Sequence, residues 1–280
     1  MQKLQEVVMA MRCNIAVVVI THDEMKLVRA IQSLVDQKVR PHSVWLHDNG
    51  TSKSEALDQI EKSQQLLSQA GISYVFSRSD ENLRVGTVRA RIFHHVRASK
   101  ADLVTCLDGD DRLGEDVLAA MQTTYLGCGG KVEVIVPREI ALRYDSDESR
   151  NETITCHIPR MSTARPSASA REIQKWVDLT CVGATFGIRV RALSLLEGFS
   201  SGHADDEWVW LVTVWACQEA RFAYSDISAK NSYQYQQHDC ALTENPHVNR
   251  RQDHGERRFF TAKRALQSKP RKWGHLLRAA

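Results

Sequence analysis

Residues 14–20 read NIAVVVI, a run with almost no polar interruption. A strand that meets water on one face alternates apolar and polar positions, so a run like this must be covered on both faces. That is the situation of a central strand in a parallel sheet. The segments that follow keep to the same architecture. In 24–36, Leu27, Ala30, Ile31, Leu34 and Val35 fall at helical spacing. Residues 43–46 make a second short strand and end at His47-Asp48-Asn49-Gly50, a turn signal. A helix is predicted at 57–70, closed by Gly71. Strands then follow at 72–76, 103–107 and 132–136, with helices at 85–98 and 116–125. Alternation of this kind predicts an α/β domain whose mostly parallel central sheet carries helices on both faces. Sites in such sheets lie beyond the carboxyl ends of the strands. Three of those ends are polar: Thr21-His22-Asp23, Asp48-Asn49 and Asp108-Gly109-Asp110-Asp111. All three are expected along one edge.

The second half is less regular. Residues 145–171 are polar and rich in serine, and read as a long loop, a kind of segment that often carries function. The pattern resumes with an apolar stretch at 176–186, a helix at 189–196, a polar turn at 200–206 and a helix at 207–220. Strands near 222–224 and 232–236 follow. A chain of 280 residues, 42% apolar and 25% charged, suits one large α/β domain. The net charge of +3 is too small to mark the whole molecule as a polyanion binder. From Arg250 onward, however, ten basic residues stand against Asp253 and Glu256. This stretch, 250–280, reads as a basic C-terminal extension that could meet a membrane surface or DNA. Seven scattered cysteines without a C-x-x-C pair argue against a disulfide framework and a structural zinc site, and fit a reducing compartment. No run approaches the roughly 18 apolar residues of a membrane span. The expected location is cytoplasmic, with peripheral contact at the inner membrane face.

An apolar strand ending in Asp108-Gly109-Asp110-Asp111 needs a physical reason. Carboxylates this close repel one another unless a cation lies among them. Hard oxygen donors favour Mg2+ or Mn2+, which would then bridge a diphosphate. The plain alternative is an acidic turn that caps the helix beginning near 116. Gly109 leaves room for close backbone approach.

With these motifs in order, the chain resembles the family-2 glycosyltransferases of the GT-A (Rossmann-like) fold over roughly 14–243. NIAVVVITHDE is similar to their first strand and nucleotide loop, and SVWLHDNGTSK to the second strand with its base-contacting aspartate. ENLRVGTVRAR resembles the segment that ends in Ala-Arg-Asn, and LDGDD the metal-binding Asp-x-Asp motif. CVGATFGIRVRAL with LEGF, HADDEWVWLV and SYQYQQHDCALT resemble the acceptor-side strand, the catalytic-base motif and the late strand. The chain departs from the family pattern at Ile20, where proline is common, at Arg84, where glycine is common, and at Ala90, which replaces asparagine.

The resemblance implies a GT-A domain over 1–249, with a nucleotide-sugar half at about 12–137 and an acceptor half at about 172–245. It implies that Asp48 contacts the base, that Thr21 and His22 lie beside it, and that Arg84 and Arg89 lie near the nucleotide. Asp108 would face the ribose or the metal, Asp110 would bind the metal, and His238 would approach it. Asp206 would be the catalytic base, with Asp205 and Glu207 as neighbours that could take its place. The implied reaction is metal-dependent, inverting sugar transfer from a nucleoside-diphosphate sugar, a UDP-sugar in the first instance, to a hydroxyl of a glycan or lipid-linked glycan. The alternatives are a virus-type DNA-base glycosyltransferase and an inactive nucleotide-sugar-binding module. A nucleotidyltransferase fits poorly, because 21–26 lacks a glycine-rich loop, and no Walker-type phosphate loop is present.

Overall fold

The computed structural model describes residues 13–83, 85–144, 151–155, 187–193, 222–228 and 231–237. Its first half is a regular α/β succession: β1 (Ile15–Thr21), α1 (Leu27–Val35), β2 (Ser43–Asn49), α2 (Ser54–Gln69), β3 (Tyr74–Ser79), α3 (Val85–Val96), β4 (Leu103–Asp108), the two-residue β5 (Arg112–Leu113), α4 (Val117–Gly127) and β6 (Val134–Pro137). Then come β7 (Glu139–Tyr144), β8 (Asn151–Thr155), β9 (Gly187–Arg189), β10 (Phe222–Ser225) and β11 (Tyr233–Gln237). The main sheet has seven strands in the order β10-β6-β9-β4-β1-β2-β3, and a second sheet has four in the order β5-β11-β7-β8.

The apolar run behaves as its composition demands. Every residue of β1 is buried, with β2 and β4 paired in parallel on either side. Both faces of that strand are therefore covered. Val17, Val18 and Val19 join Leu27, Ile31, Leu34, Leu46, Leu103 and Leu107 in one core. The sheet is mostly parallel, as expected, and its exception is central. β9 runs antiparallel to both β4 and β6 and lies between them.

Three expectations for the second half need correction. The long loop expected at 145–171 contains β8, Asn-Glu-Thr-Ile-Thr, which pairs antiparallel with β7. β7 itself falls in a stretch to which the sequence reading assigned no element. The helix expected at 189–196 opens instead with the last residue of β9 and a 3-10 turn, Val190–Ala192. Sheet pairing of Ile188 with Val104 and Val134 overrides the local helical spacing. The apolar stretch at 176–186, the polar turn at 200–206, the helix at 207–220 and the basic extension at 250–280 lie outside the described residues. No helix among the described residues is long and apolar enough to cross a membrane.

The loops beyond β1, β2 and β3 are fastened to one another. Asp23, at φ 50°, accepts the backbone N–H groups of Ser52 (2.8 Å) and Lys53 (3.0 Å) just before α2. These bonds hold its carboxyl below the usual range. Asn49 donates to the Leu83 carbonyl (2.7 Å) and accepts from the Leu83 N–H (3.0 Å), so that the loop after β3 is held against the end of β2. Gly50 makes this approach feasible: its φ is 78°, and a Cβ there would stand 2.5 Å from the Glu81 carbonyl carbon. Gly50→Ala should therefore cost at least about 1–2 kcal/mol from the left-handed backbone alone, with the backbone clash adding to it. Urea denaturation measures this, and an unchanged midpoint would contradict the close approach.

Candidate active site

Strand register brings the predicted polar ends together. Thr21 on β1 is opposite Asp48 on β2, Ile20 is opposite Asp108 on β4, and Asp48 is opposite Arg78 on β3. Thr21, Asp48 and Arg78 thus form one row at the carboxyl edge of the sheet, with Asp108 one position short of it on β4. With strands spaced about 4.8 Å apart, Asp48 and Asp108 stand on the order of 10 Å from each other.

The acidic turn leaves β4 between two close neighbours. Gly109 passes so near β1 that a Cβ on it would lie 3.2 Å from Thr21 Oγ1 and 3.3 Å from the Ile20 carbonyl oxygen. Thr21 is buried beside it, and its hydroxyl has no hydrogen-bond partner among the described residues. Each flanking carboxylate has its own compensation. Asp108 Oδ1 receives Arg89 Nη2 at 2.8 Å, from a guanidinium only 6% exposed on α3. Asp111 is buried; its Oδ1 accepts the Gln236 N–H at 2.7 Å, and its Oδ2 accepts the Tyr233 hydroxyl at 2.5 Å. The Tyr233 oxygen in turn accepts the Asp108 N–H at 3.4 Å. Arg29 on α1 donates from Nη2 to the Asp110 carbonyl (3.0 Å) and to Gln236 Oε1 (3.2 Å).

Charge and burial compete here. Burial pushes the Asp111 carboxyl well above the ordinary range, and the charges of Asp110 and Asp108 push it further; the Gln236 and Tyr233 bonds pull it back. Asp108 is also raised, by desolvation on its inner side first, with Arg89 opposing. Burial raises the Tyr233 hydroxyl well above its usual value, and the neighbouring Asp111 adds to the rise, so the phenol stays a donor. Burial likewise pushes the Cys106 thiol on β4 up to about 11, leaving it an inert core group.

Of the residues expected at the site, Thr21, Asp48, Asp108 and Asp110 share the strand-end edge, and Arg89 reaches it through Asp108. His22 is exposed in the loop after β1. Asp48 is engaged within the protein: its side chain is 1% exposed, Oδ1 accepts the Thr51 N–H at 2.8 Å, and Oδ2 faces Arg78 Nε at 3.1 Å. Contact between Asp48 and a base therefore requires Arg78 to move. Arg84, Asp205, Asp206, Glu207 and His238 lie outside the described residues. Arg29, Arg78, Tyr233 and Gln236 join the site without being singled out by any sequence signal of their own class. Tyr233 carried a faint signal, as an aromatic at the start of a short strand in a polar setting. Its contact with Asp111, 122 positions away, has no local signature.

The donor set suits a hard divalent cation in its chemistry. Asp108 and Asp110 offer carboxylate oxygens from one turn, beside the unpartnered Thr21 hydroxyl. Among the described residues no group of three His, Cys, Asp or Glu side chains is placed to hold an ion. An ion of the Mg2+ type commonly takes one or two carboxylates and completes its shell with water and substrate phosphates.

No protein-family model matches the chain, and no curated protein does. Solved structures do. A 1–349 fragment of S. aureus TarS in complex with UDP-GlcNAc superimposes with a TM-score of 0.55 at 15% identity, over 83% of this chain and 61% of that one. The S. aureus TarS structure itself matches at 0.52 and 15% identity, over 80% and 37%. The mannosyltransferase PcManGT from Pyrobaculum calidifontis, in complex with GDP-Man and Mn2+, matches at 0.52 and 13% identity, over 86% and 60%. The chain spans between 37% and 61% of the lengths of these solved chains. The fold is thus of the GT-A type.

The Arg89–Asp108 pair yields a test. Arg89→Met should destabilise the protein by about 1–3 kcal/mol, less than a fully buried pair because Asp108 retains access to water. Equilibrium urea denaturation checks this, and a loss below about 0.5 kcal/mol, the scale of an ordinary surface change, would show that the pair contributes little.

Proposed function

We propose that the chain is a metal-dependent glycosyltransferase of the family-2 kind, moving a sugar from a nucleoside-diphosphate sugar to an acceptor hydroxyl. The observation that carries this reading is the placement of Asp108 at the end of β4 and of Asp110 on the turn after it, along the same edge of a GT-A-type sheet as Thr21 and Asp48. The nucleotide sugars in the similar solved structures, UDP-GlcNAc and GDP-Man, support the donor class, and the Mn2+ in one of them supports the cofactor. A UDP-sugar donor and a glycan or lipid-linked acceptor complete the proposal.

In this reading Asp110, with Asp108, would hold Mn2+ or Mg2+, which would supply Lewis-acid compensation for negative charge on the leaving diphosphate. Arg89 opposes the rise that burial imposes on Asp108 and fixes the direction of its carboxylate. Asp48 serves the base once Arg78 moves aside, and Thr21 offers its hydroxyl beside the turn. Asp206, or Asp205 or Glu207 next to it, takes the acceptor proton as general base. A single base with direct displacement gives inversion at the anomeric carbon. The basic stretch 250–280 serves as a peripheral anchor at the inner membrane face of a cytoplasmic enzyme, and loss of vesicle binding on its deletion would bear this out.

Two substitutions test the chemistry. Asp110→Ala should abolish Mn2+-dependent release of nucleoside diphosphate from a panel of nucleotide sugars. It also removes a neighbour that repels Asp111 and Asp108, so thermal stability without metal should hold or rise. Wild-type turnover in this variant would rule out the proposed site, while nucleotide binding without turnover in the wild-type chain would indicate a binding module. Asp206→Asn should lower turnover by about two to four orders of magnitude with little change in nucleotide affinity. A loss of that size from Asp205→Asn or Glu207→Gln instead would move the base by one position, and no loss from any of the three would exclude this mechanism.

A further inference from the structure

The acidic turn contains three carboxylates, and Asp111 differs from the other two. It is buried to 1% exposure, and both of its oxygens are taken by protein donors, the Tyr233 hydroxyl and the Gln236 N–H. Each oxygen already accepts a hydrogen bond from within the protein, and the buried side chain leaves little open surface for an ion.

Those two bonds belong to a larger arrangement. Tyr233 reaches past Asp111 to accept the Asp108 N–H, so one phenol oxygen contacts both ends of the turn. Gln236 is gripped twice, at its N–H by Asp111 and at its side-chain oxygen by Arg29. The same Arg29 nitrogen holds the Asp110 carbonyl. The backbone of the turn is thus fixed at Asp108 N, at Asp110 O and through the Asp111 side chain, by residues of β11 and α1. A short turn leaving a strand would otherwise sample several conformations, and a ligand carboxylate on it would lose affinity accordingly.

Resting on the proposed sugar-transfer reading, we propose that Tyr233 and Asp111, with Gln236 and Arg29, form a clamp that positions Asp110 for metal binding, and that Asp111 is a positioning residue and not a ligand. The clamp acts on metal affinity because it sets the backbone from which Asp110 projects. Groups that orient metal ligands from outside the coordination sphere are typically worth 10–100-fold in affinity or activity.

The test uses the full chain and titrates Mn2+ by calorimetry, with release of UDP from a UDP-sugar and thermal midpoint measured in parallel. Asp110→Asn should remove Mn2+ binding. Tyr233→Phe, which deletes only the hydroxyl, should weaken Mn2+ binding by about 10–100-fold, and excess Mn2+ should restore most of its turnover. Asp111→Asn should weaken binding to a similar degree, and the double variant should be little worse than either single one, since both break the same contact. Arg29→Gln, at a half-buried position, probes the clamp from the α1 side should Asp111→Asn fail to fold. Loss of Mn2+ binding in Asp111→Asn as complete as in Asp110→Asn, with Tyr233→Phe unaffected, would make Asp111 a ligand and overturn the proposal. A lowered thermal midpoint in Tyr233→Phe with wild-type Mn2+ affinity would reduce the clamp to plain stability and overturn it as well. Failure of the underlying reading looks different: Asp110→Asn would bind Mn2+ as the wild type does.

Discussion

Mutual repulsion among the carboxylates of Asp108, Asp110 and Asp111 is the constraint around which the site is organised. Three acids in four residues, at the end of a strand whose other residues are buried, cannot all be left uncompensated. The protein answers separately for each flank. A buried guanidinium from α3 meets Asp108, and a phenol and a backbone amide from β11 meet Asp111. These answers come from opposite ends of the chain, so the turn can take this form only where β4, α3 and β11 already lie together. Charge compensation and tertiary assembly are therefore the same event here.

The rest of the edge follows similar logic at lower cost. The loops after β1, β2 and β3 have little apolar surface to bury, and they are ordered by side chains bonding to backbone. Asp23 holds the segment entering α2, Asn49 holds Leu83, and Arg78 donates to the Thr51 carbonyl at 2.9 Å. Such bonds are each modest in net worth, about 1 kcal/mol. Their value lies in direction: they fix where Thr21, Asp48 and Arg78 stand relative to the acidic turn.

Much of this was legible in the sequence, and the physics explains where legibility ended. NIAVVVI could only be a strand covered on both faces, and the alternation after it fixed the sheet type and the edge at which Thr21, Asp48 and Asp108 meet. Periodicity is local, and the first half of the fold is built from local units. The second half is not. β9 is three residues long and is a strand only because β4 and β6 lie beside it, so Arg189 and its neighbours read as the start of a helix. β8 gave no signal through its polar residues. At the site, the close packing of carboxylates implied a cation, and the sequence reading named a metal; the protein's own Arg89 and Tyr233 supply part of that compensation. Arg89, expected near the nucleotide, pairs with Asp108 in the structure. Tyr233 and Gln236 escaped notice because hydrogen bonds across more than a hundred residues leave no spacing to read.

The antiparallel strand β9 sets an order of assembly. During synthesis, β1 to β4 and their helices emerge as a contiguous parallel unit with neighbours already in hand. β6 cannot join that unit directly, because its place beside β4 is taken by a strand about fifty residues further along the chain. Until β9 emerges, β4 presents an open edge of unpaired backbone N–H and C=O groups flanked by apolar side chains, the kind of edge on which nascent chains aggregate. The half from β1 to β4 can therefore be largely formed on the ribosome while the acidic turn still waits for β11. Any competence for chemistry would arise only when the last strand of the described fold has been released.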